Sequence, residues 1–182
     1  MAIAAVMVVL LGIGAYAFEP WRLFTSQHID EAAPSAAPSS AAPSSTVPSS
    51  AAPRTAAPSR TASAPAPTVV RTGRLIAHEH PTSGTVQIFR LADGSRLLRI
   101  TDLATSDGPD LRVWLSQAPV IDGRDGWFVF GQHPHVELGR LKGNQGNQNY
   151  SIPAGVDLDS FTSVSIWCAR FRVSFGAAAL RA

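Results

Sequence analysis

The chain has 182 residues, of which 45% are hydrophobic and 15% are charged, and its formal net charge is +2 at pH 7. A single cysteine, Cys168, excludes an intramolecular disulfide, a zinc site made of cysteines alone and covalent attachment of a c-type haem. The basic side chains are scattered rather than clustered, which speaks against a nucleic-acid partner.

An apolar segment opens the chain. Ala2 to Phe18 carries no charge and lies near the lower limit of roughly 17 residues for a membrane span. Aromatic residues continue to Phe24, as at a membrane interface. We predict a transmembrane anchor with its interfacial flank over residues 1–24, a single pass in the cell membrane, with the rest of the chain extracytoplasmic. A cleaved signal peptide is the alternative, because Ala15-Tyr16-Ala17 has a small-x-small cleavage pattern, although no Lys or Arg precedes the apolar run.

Residues 25–67 are dominated by Ala, Pro and Ser. Such a segment has almost no large apolar side chains to offset the entropy of ordering, and its prolines favour the extended polyproline II form. We predict a disordered Ala/Pro/Ser-rich linker, a stalk that holds a folded domain away from the anchor.

Residues 68–182 have the composition of one globular domain and contain short β-rich segments bounded by turn residues. Asp93-Gly94 is a strong hairpin signal, and a second turn is expected at Gly143–Gly146. The segments are 85–91, 96–100, 111–116, 138–142, 147–152, 163–168 and 170–175. The one helical candidate is Gly176 to Leu180. The prediction is an all-β domain, a small antiparallel β-sandwich or barrel.

The apolar alternation changes phase near the C-terminus. The apolar residues before and after this change are Val164, Ile166 and Cys168, then Phe171, Val173 and Phe175. If both sets face the core, the chain needs either a β-bulge near Ala169 or Arg170, or a turn at that point.

Four histidines form two pairs with a spacing of two residues, His78 with His80 and His133 with His135. This spacing suits metal ligands on a strand. Unrelated exposed histidines explain the pattern better, so no metal site is predicted. Alternation places Cys168 on the apolar side of its strand, where a free thiol is ordinarily buried and inert, although a lone thiol in an oxidising compartment needs either protection or a use.

Three stretches in order resemble the electron-transfer DM-thirteen (DM13) domain, a small β domain that accompanies DOMON domains in some animal extracellular proteins. The first stretch is Gly108-Pro109-Asp110-Leu111 with Trp114-Leu115. The second is Leu141-Lys142-Gly143-Asn144 with Gly146, Gln148-Asn149-Tyr150 and Ile152-Pro153. The third is Ser163-Val164 with Ile166-Trp167-Cys168, Phe171, Val173 and Phe175. The resemblance covers roughly residues 73–180, and nothing in it concerns His133 or His135. With the anchor and stalk, it suggests a membrane-anchored protein of the bacterial type.

The resemblance implies an extracytoplasmic β domain whose cysteine, here Cys168 beside Trp167, is a redox centre, either as a bare thiol or near a bound cofactor of unknown identity. A redox thiol needs positive charge or hydrogen-bond donors nearby. Arg170 and Lys142 are candidates by residue type.

Two functions stay open, and the sequence does not say whether the protein is an enzyme. The first is a membrane-tethered electron-transfer domain centred on Cys168, acting with a redox partner. The second is a non-catalytic cell-surface binding or adhesion module for envelope sugars or a partner protein. The side-chain amides that would serve the second function are those of Asn144, Gln145, Asn147, Gln148 and Asn149.

Overall fold

The computed structural model describes residues 26–35 and 65–182. Short, β-branched and alternating segments in these ranges form strands, as expected from their patterning. The strands are β1 His28–Asp30, β2 Thr68–Arg74, β3 Ile76–Ala77, β4 Ser83–Arg90, β5 Arg96–Ala104, β6 Leu111–Ser116, β7 His135–Arg140, β8 Gln145–Ile152, β9 Ser163–Cys168 and β10 Val173–Ala179. Two 3₁₀ turns, Arg124–Gly126 and Val129–Gln132, lie between β6 and β7.

The strands make two five-stranded sheets, which confirms the all-β prediction as a β-sandwich. The first sheet has the order β1-β8-β5-β4-β2 and the second β3-β10-β9-β6-β7. Neighbouring strands are antiparallel in the described ranges, except that β1 runs parallel to β8. Alternate side chains of the two sheets face each other and bury one apolar core, which includes Val86, Ile88, Leu98, Ile100, Val113, Leu115, Val164, Ile166 and Phe175.

The hairpin predicted at Asp93-Gly94 joins β4 to β5, with Arg90 paired with Arg96. Gly94 has a positive φ of 82°, a conformation that glycine adopts at little cost. β7 belongs to the second sheet and β8 to the first, and Leu141–Asn144 connect them. The turn was predicted two residues later, at Gly143–Gly146, so Gly146 lies within β8 and not in the turn.

The phase change near the C-terminus is a turn. β9 ends at Cys168, which pairs with Val173 at the start of β10, and Phe171 is 54% exposed at the tip of the turn between them. A bulge does occur, but farther along, between Ser174 and Gly176. The helix considered at Gly176 to Leu180 was wrong, because this segment continues β10 through Ala179.

Residues 26–35 belong to the fold, whereas the sequence placed them in the linker. Their strand β1 pairs with β8 from His28↔Gln145 to Asp30↔Asn147. The segment offers only one large apolar residue, Ile29, which explains why its composition did not indicate a strand.

The predicted anchor over residues 1–24 and the Ala/Pro/Ser stretch over 36–64 lie outside the described residues. Within the described ranges, no helix is long and apolar enough to cross a bilayer.

Candidate functional site

Cys168 lies at the end of β9, on the side that faces the core. Its side chain is fully buried, and it belongs to the same apolar cluster as Ile166, Val173 and Phe175. Across the strands it pairs with Leu111 of β6 and Val173 of β10. The first and third family-like stretches therefore meet at this cysteine.

Burial raises the pKa of the Cys168 thiol above its ordinary value, so the neutral thiol is favoured. The backbone N–H groups of Phe171, Arg170 and Asp110 act in the opposite direction, and the charge of Asp110 adds to the increase. The strand end thus offers the sulfur several backbone donors in an apolar setting. Such a thiol is protected from solvent and is a poor nucleophile at neutral pH.

Arg170 and Lys142, the two candidates for activating the Cys168 thiol, lie in different surroundings. Arg170 contributes a backbone donor next to Cys168. Lys142 instead pairs with Glu31, with 2.6 Å between Nζ and Oε1, and lies over the ring of Tyr150 at 5.1 Å from its centroid. Lys142 is therefore part of the β1–β8 contact, and its charge is directed to Glu31.

Trp167 faces away from Cys168 because successive strand residues point to opposite sides of a sheet. On that outer face of the second sheet it stacks on Trp114 of β6, with ring centroids 4.8 Å apart and an interplanar angle of 22°. Trp114 stacks in turn on His135 of β7, at 3.6 Å and 10°. We call Trp167, Trp114 and His135 the aromatic stack. It runs from an exposed histidine on an edge strand to the residue next to the buried thiol.

A segment over residues 117–134 covers the aromatic stack. Phe130 is fully buried in a second apolar cluster with Trp114, Trp167 and Ala177. Gly131 comes so close that a Cβ there would lie 3.2 Å from the Trp167 ring. Both tryptophans are less than 10% exposed as a result, at 8% for Trp114 and 3% for Trp167.

One surface cleft of about 250 Å³ reaches Trp167 beside this cover. Phe128 and Phe171, which are 45% and 54% exposed, line it together with Arg172. A partner molecule placed in this cleft would contact the edge of Trp167 without any opening of the fold.

The histidines of the two pairs have different surroundings in the described residues. His78 is buried, and its Nδ1 lies 2.9 Å from the Ser174 hydroxyl oxygen. Burial lowers the pKa of His78, an effect that the Ile121 carbonyl opposes. His135 stacks on Trp114, and the described part of the chain contains no group of three His, Cys, Asp or Glu side chains that could hold a metal ion.

The first and second family-like stretches share a small cavity of about 100 Å³. Its lining includes Gly108, Pro109, Asp110 and Leu111 from the first and Gly143 and Asn144 from the second. Small-molecule sites ordinarily measure roughly 300–1,000 Å³, so this cavity is too small for a haem or a flavin. Asp110 at its rim is bound by Arg112, with Nε 2.8 Å from Oδ1, and this hydrogen bond holds the pKa of its carboxyl below the ordinary value.

The remaining residues of the second stretch stabilise β8. Gln148 is fully buried and accepts hydrogen bonds at Oε1 from the Tyr150 hydroxyl at 2.6 Å and from the Lys142 N–H at 3.1 Å. Burial raises the pKa of Tyr150. Pro153 follows the strand, and its carbonyl accepts a hydrogen bond from Arg96.

The amides considered for sugar binding are engaged within the protein. Asn144 donates to the Thr105 carbonyl, and Asn147 and Asn149 bind residues 30 and 32 of the N-terminal segment. Part of their hydrogen-bonding capacity is thus used in holding β8, its preceding loop and the N-terminal segment, and the adhesion module stays a prediction.

The sequence analysis did not consider Phe130, and it named Trp114 only through the family resemblance and His135 only as a member of a histidine pair. A usable signal existed, because Trp114 and Trp167 have the parity opposite to the core residues of their strands, and a large aromatic residue on an outer face requires a cover.

Comparison with known families gives one match: a family model described as electron transfer DM13 covers residues 74–180, more than half of the chain. No curated protein matches the chain. No solved structure matches it either.

Proposed function

Because the chain belongs to the electron transfer DM13 family, we propose that it is a one-electron redox domain, with Cys168 as its buried centre and the aromatic stack as the connection to the surface. The observation that carries this proposal is the continuous contact from His135 through Trp114 to Trp167, the residue bonded to Cys168. Stacked indole and imidazole rings are polarisable groups in van der Waals contact, which suits the passage of single electrons.

Burial argues for one-electron rather than thiol-exchange chemistry. Disulfide exchange needs an accessible thiolate that can attack a second sulfur atom. Cys168 is fully buried, and its pKa is raised. An electron, in contrast, can cross the peptide unit that joins Cys168 to Trp167, whose Cα atoms are about 3.8 Å apart.

The proposed step is a loss of one electron and one proton from the Cys168 thiol, which leaves a sulfur-centred radical. The electron passes along Trp167 and then to an external one-electron acceptor, either at the Phe128–Phe171 cleft or through Trp114 to His135. The oxidised thiol is a strong acid, and Asp110 is the carboxylate whose charge acts on Cys168. We assign it the proton.

A radical measurement tests the role of the cysteine. Freeze-quenched samples of the one-electron-oxidised protein should show a sulfur-centred radical by electron paramagnetic resonance, and Cys168→Ala should lack it. Trp127→Phe is the matched control, because Trp127 packs on the main core outside the aromatic stack. If Cys168→Ala gives the wild-type spectrum and the wild-type redox titration, Cys168 is not the centre.

We further propose that the protein is membrane-tethered, single-pass and extracytoplasmic, supported by the apolar run up to Phe18. Protease added to intact cells should cut the Ala/Pro/Ser-rich stretch, so that a denaturing gel shows a separate fragment containing residues 68–182. Cleavage of the chain only after the cells are lysed would contradict the topology. A mature protein in the medium that starts near Phe18 would identify a secreted chain.

A further inference from the structure

We propose that β8 and the loop before it form a peptide-binding site, which takes up an extended acidic segment as an added parallel strand, and that its occupant is the exchangeable segment Gln27–Ala32 of this chain. We call Lys142–Asn149, together with Arg99 of β5, the acceptor edge. The consequence is a domain that can be docked beside its own N-terminal segment or released from it.

Backbone hydrogen bonds give the occupant an extended form. The Gln145 N–H donates to the Gln27 carbonyl at 3.2 Å, and the Glu31 N–H donates to the Asn147 carbonyl at 2.9 Å. This is β-augmentation, in which main-chain bonds supply attachment and side-chain contacts supply selectivity.

Two glycines make room for the incoming backbone. A Cβ on Gly143 would lie 2.4 Å from the Gln27 carbonyl oxygen, and a Cβ on Gly146 would lie 2.1 Å from the Ile29 carbonyl oxygen. Gly146 also has a positive φ of 94°. Any side chain at either position would occupy the space of the strand, so these glycines shape the acceptor edge for a main chain.

The acceptor edge binds both carboxylate oxygens of one acidic side chain, that of Glu31. Lys142 Nζ lies 2.6 and 2.9 Å from the two carboxylate oxygens of Glu31, and the Asn149 N–H donates to Oε2 at 2.6 Å. The Lys142 hydrogen bond is the largest of the causes that lower the pKa of Glu31, which stays ionised. The position therefore selects a carboxylate of glutamate length.

Both ends of the occupant are held by side chains of the domain. Asn144 Oδ1 accepts from the Gln27 N–H at 2.7 Å. At the other end, Arg99 Nη1 donates to the carbonyls of Glu31 and Ala32, at 2.9 and 3.0 Å. Arg99 is only 7% exposed, and a buried guanidinium needs such acceptors.

The occupant is separable from the domain that receives it. Of the residues of β1 only Ile29 is half-buried, and none belongs to the apolar core clusters, so polar recognition provides the attachment. The segment also lies outside the family match, which begins at residue 74 and contains the whole acceptor edge.

The test uses the full-length chain in detergent micelles, with a site-specific protease sequence inserted after Ser45. After cutting, the N-terminal fragment should co-elute with the domain in gel filtration. A synthetic peptide of residues 26–35 in excess should displace it. The same peptide with Glu31→Gln should compete at least about tenfold more weakly, and cut protein with Lys142→Ala should lose the fragment. Asp159→Ala is the control, because it breaks the exposed ion pair with Arg71 and should leave retention unchanged.

Several results would overturn the proposal. Separation of the uncompeted wild-type fragment on cutting would show that the contact has no affinity of its own. Equal competition by the two peptides would show that the acceptor edge does not select a glutamate at position 31. Cut fragments that hold two domains together as a dimer would reassign the occupant to a second copy. Circular dichroism of each variant shows whether the domain remains folded, and the Glu31→Gln peptide keeps the test decisive if Lys142→Ala does not fold.

Discussion

The buried position of Cys168 makes a quantitative prediction about its chemical reactivity. Its side chain is fully buried in the main core, so an alkylating reagent reaches the sulfur only after the sandwich opens. Global opening of a small domain costs about 5–15 kcal/mol, and about 1.4 kcal/mol corresponds to a factor of ten. Even an opening that costs about 4 kcal/mol slows alkylation roughly a thousandfold.

The assay compares iodoacetamide labelling of the native protein with labelling of the same chain unfolded in denaturant, with mass spectrometry as the readout. We expect native labelling to be at least about a thousandfold slower. The raised pKa of Cys168 lowers the thiolate fraction and acts in the same direction. A double variant with Cys168→Ala and Ala154→Cys is the control, because position 154 is exposed. Native labelling of Cys168 within about tenfold of the unfolded rate would refute the burial on which the one-electron mechanism depends.

Three further substitutions or conditions give measurable outcomes. Phe130→Ala should lower the free energy of unfolding by about 3–5 kcal/mol, because it empties the cover of the aromatic stack, and a urea titration that shows under about 1 kcal/mol would contradict that role. Tyr150→Phe removes the hydroxyl that donates to Gln148 and should cost about 1–2 kcal/mol in the same titration, more than a surface substitution. The pKa of Glu31 is lowered from 4.5, mainly by the Lys142 hydrogen bond, so its stabilisation of β1 is complete above pH 4.5 and is lost as the pH falls through its folded-state pKa. The protection factors of the amides of residues 27–32, taken against the intrinsic exchange rate at each pH, should fall on acidification, and Glu31→Gln should abolish that pH dependence.

The sheet architecture was largely predictable because period-two patterning and turn residues are local signals. Asp93-Gly94 identified the β4–β5 hairpin, and the phase change after Cys168 limited that region to a turn or a bulge. The assignment of β7 and β8 to different sheets is a long-range property, which the residues near Gly143 do not encode locally.

Two features of the molecule could not be predicted from the sequence, for different physical reasons. The segment that contains β1 is held by the Lys142–Glu31 ion pair and by hydrogen bonds from Arg99 to its carbonyl groups. These partners are far away in the chain, so local propensity does not indicate the strand. The aromatic stack arises because Trp114 and Trp167 lie on adjacent strands at diagonal positions, and their contact needs the β6–β9 register. The family-like stretches, by contrast, are local sequence signals, and they are the basis on which Cys168 is proposed.

The most direct test of the electron-transfer proposal is a flash-oxidation experiment on the role of Trp167. A photogenerated outer-sphere ruthenium(III) oxidant removes one electron from the protein, and oxidation of Cys168 is followed as the loss of titratable thiol after unfolding. We predict that Trp167→Phe slows this oxidation at least about tenfold, equivalent to about 1.4 kcal/mol of barrier, while Trp127→Phe leaves it unchanged. Equal rates in the wild type and both variants would contradict the proposed route through the aromatic stack.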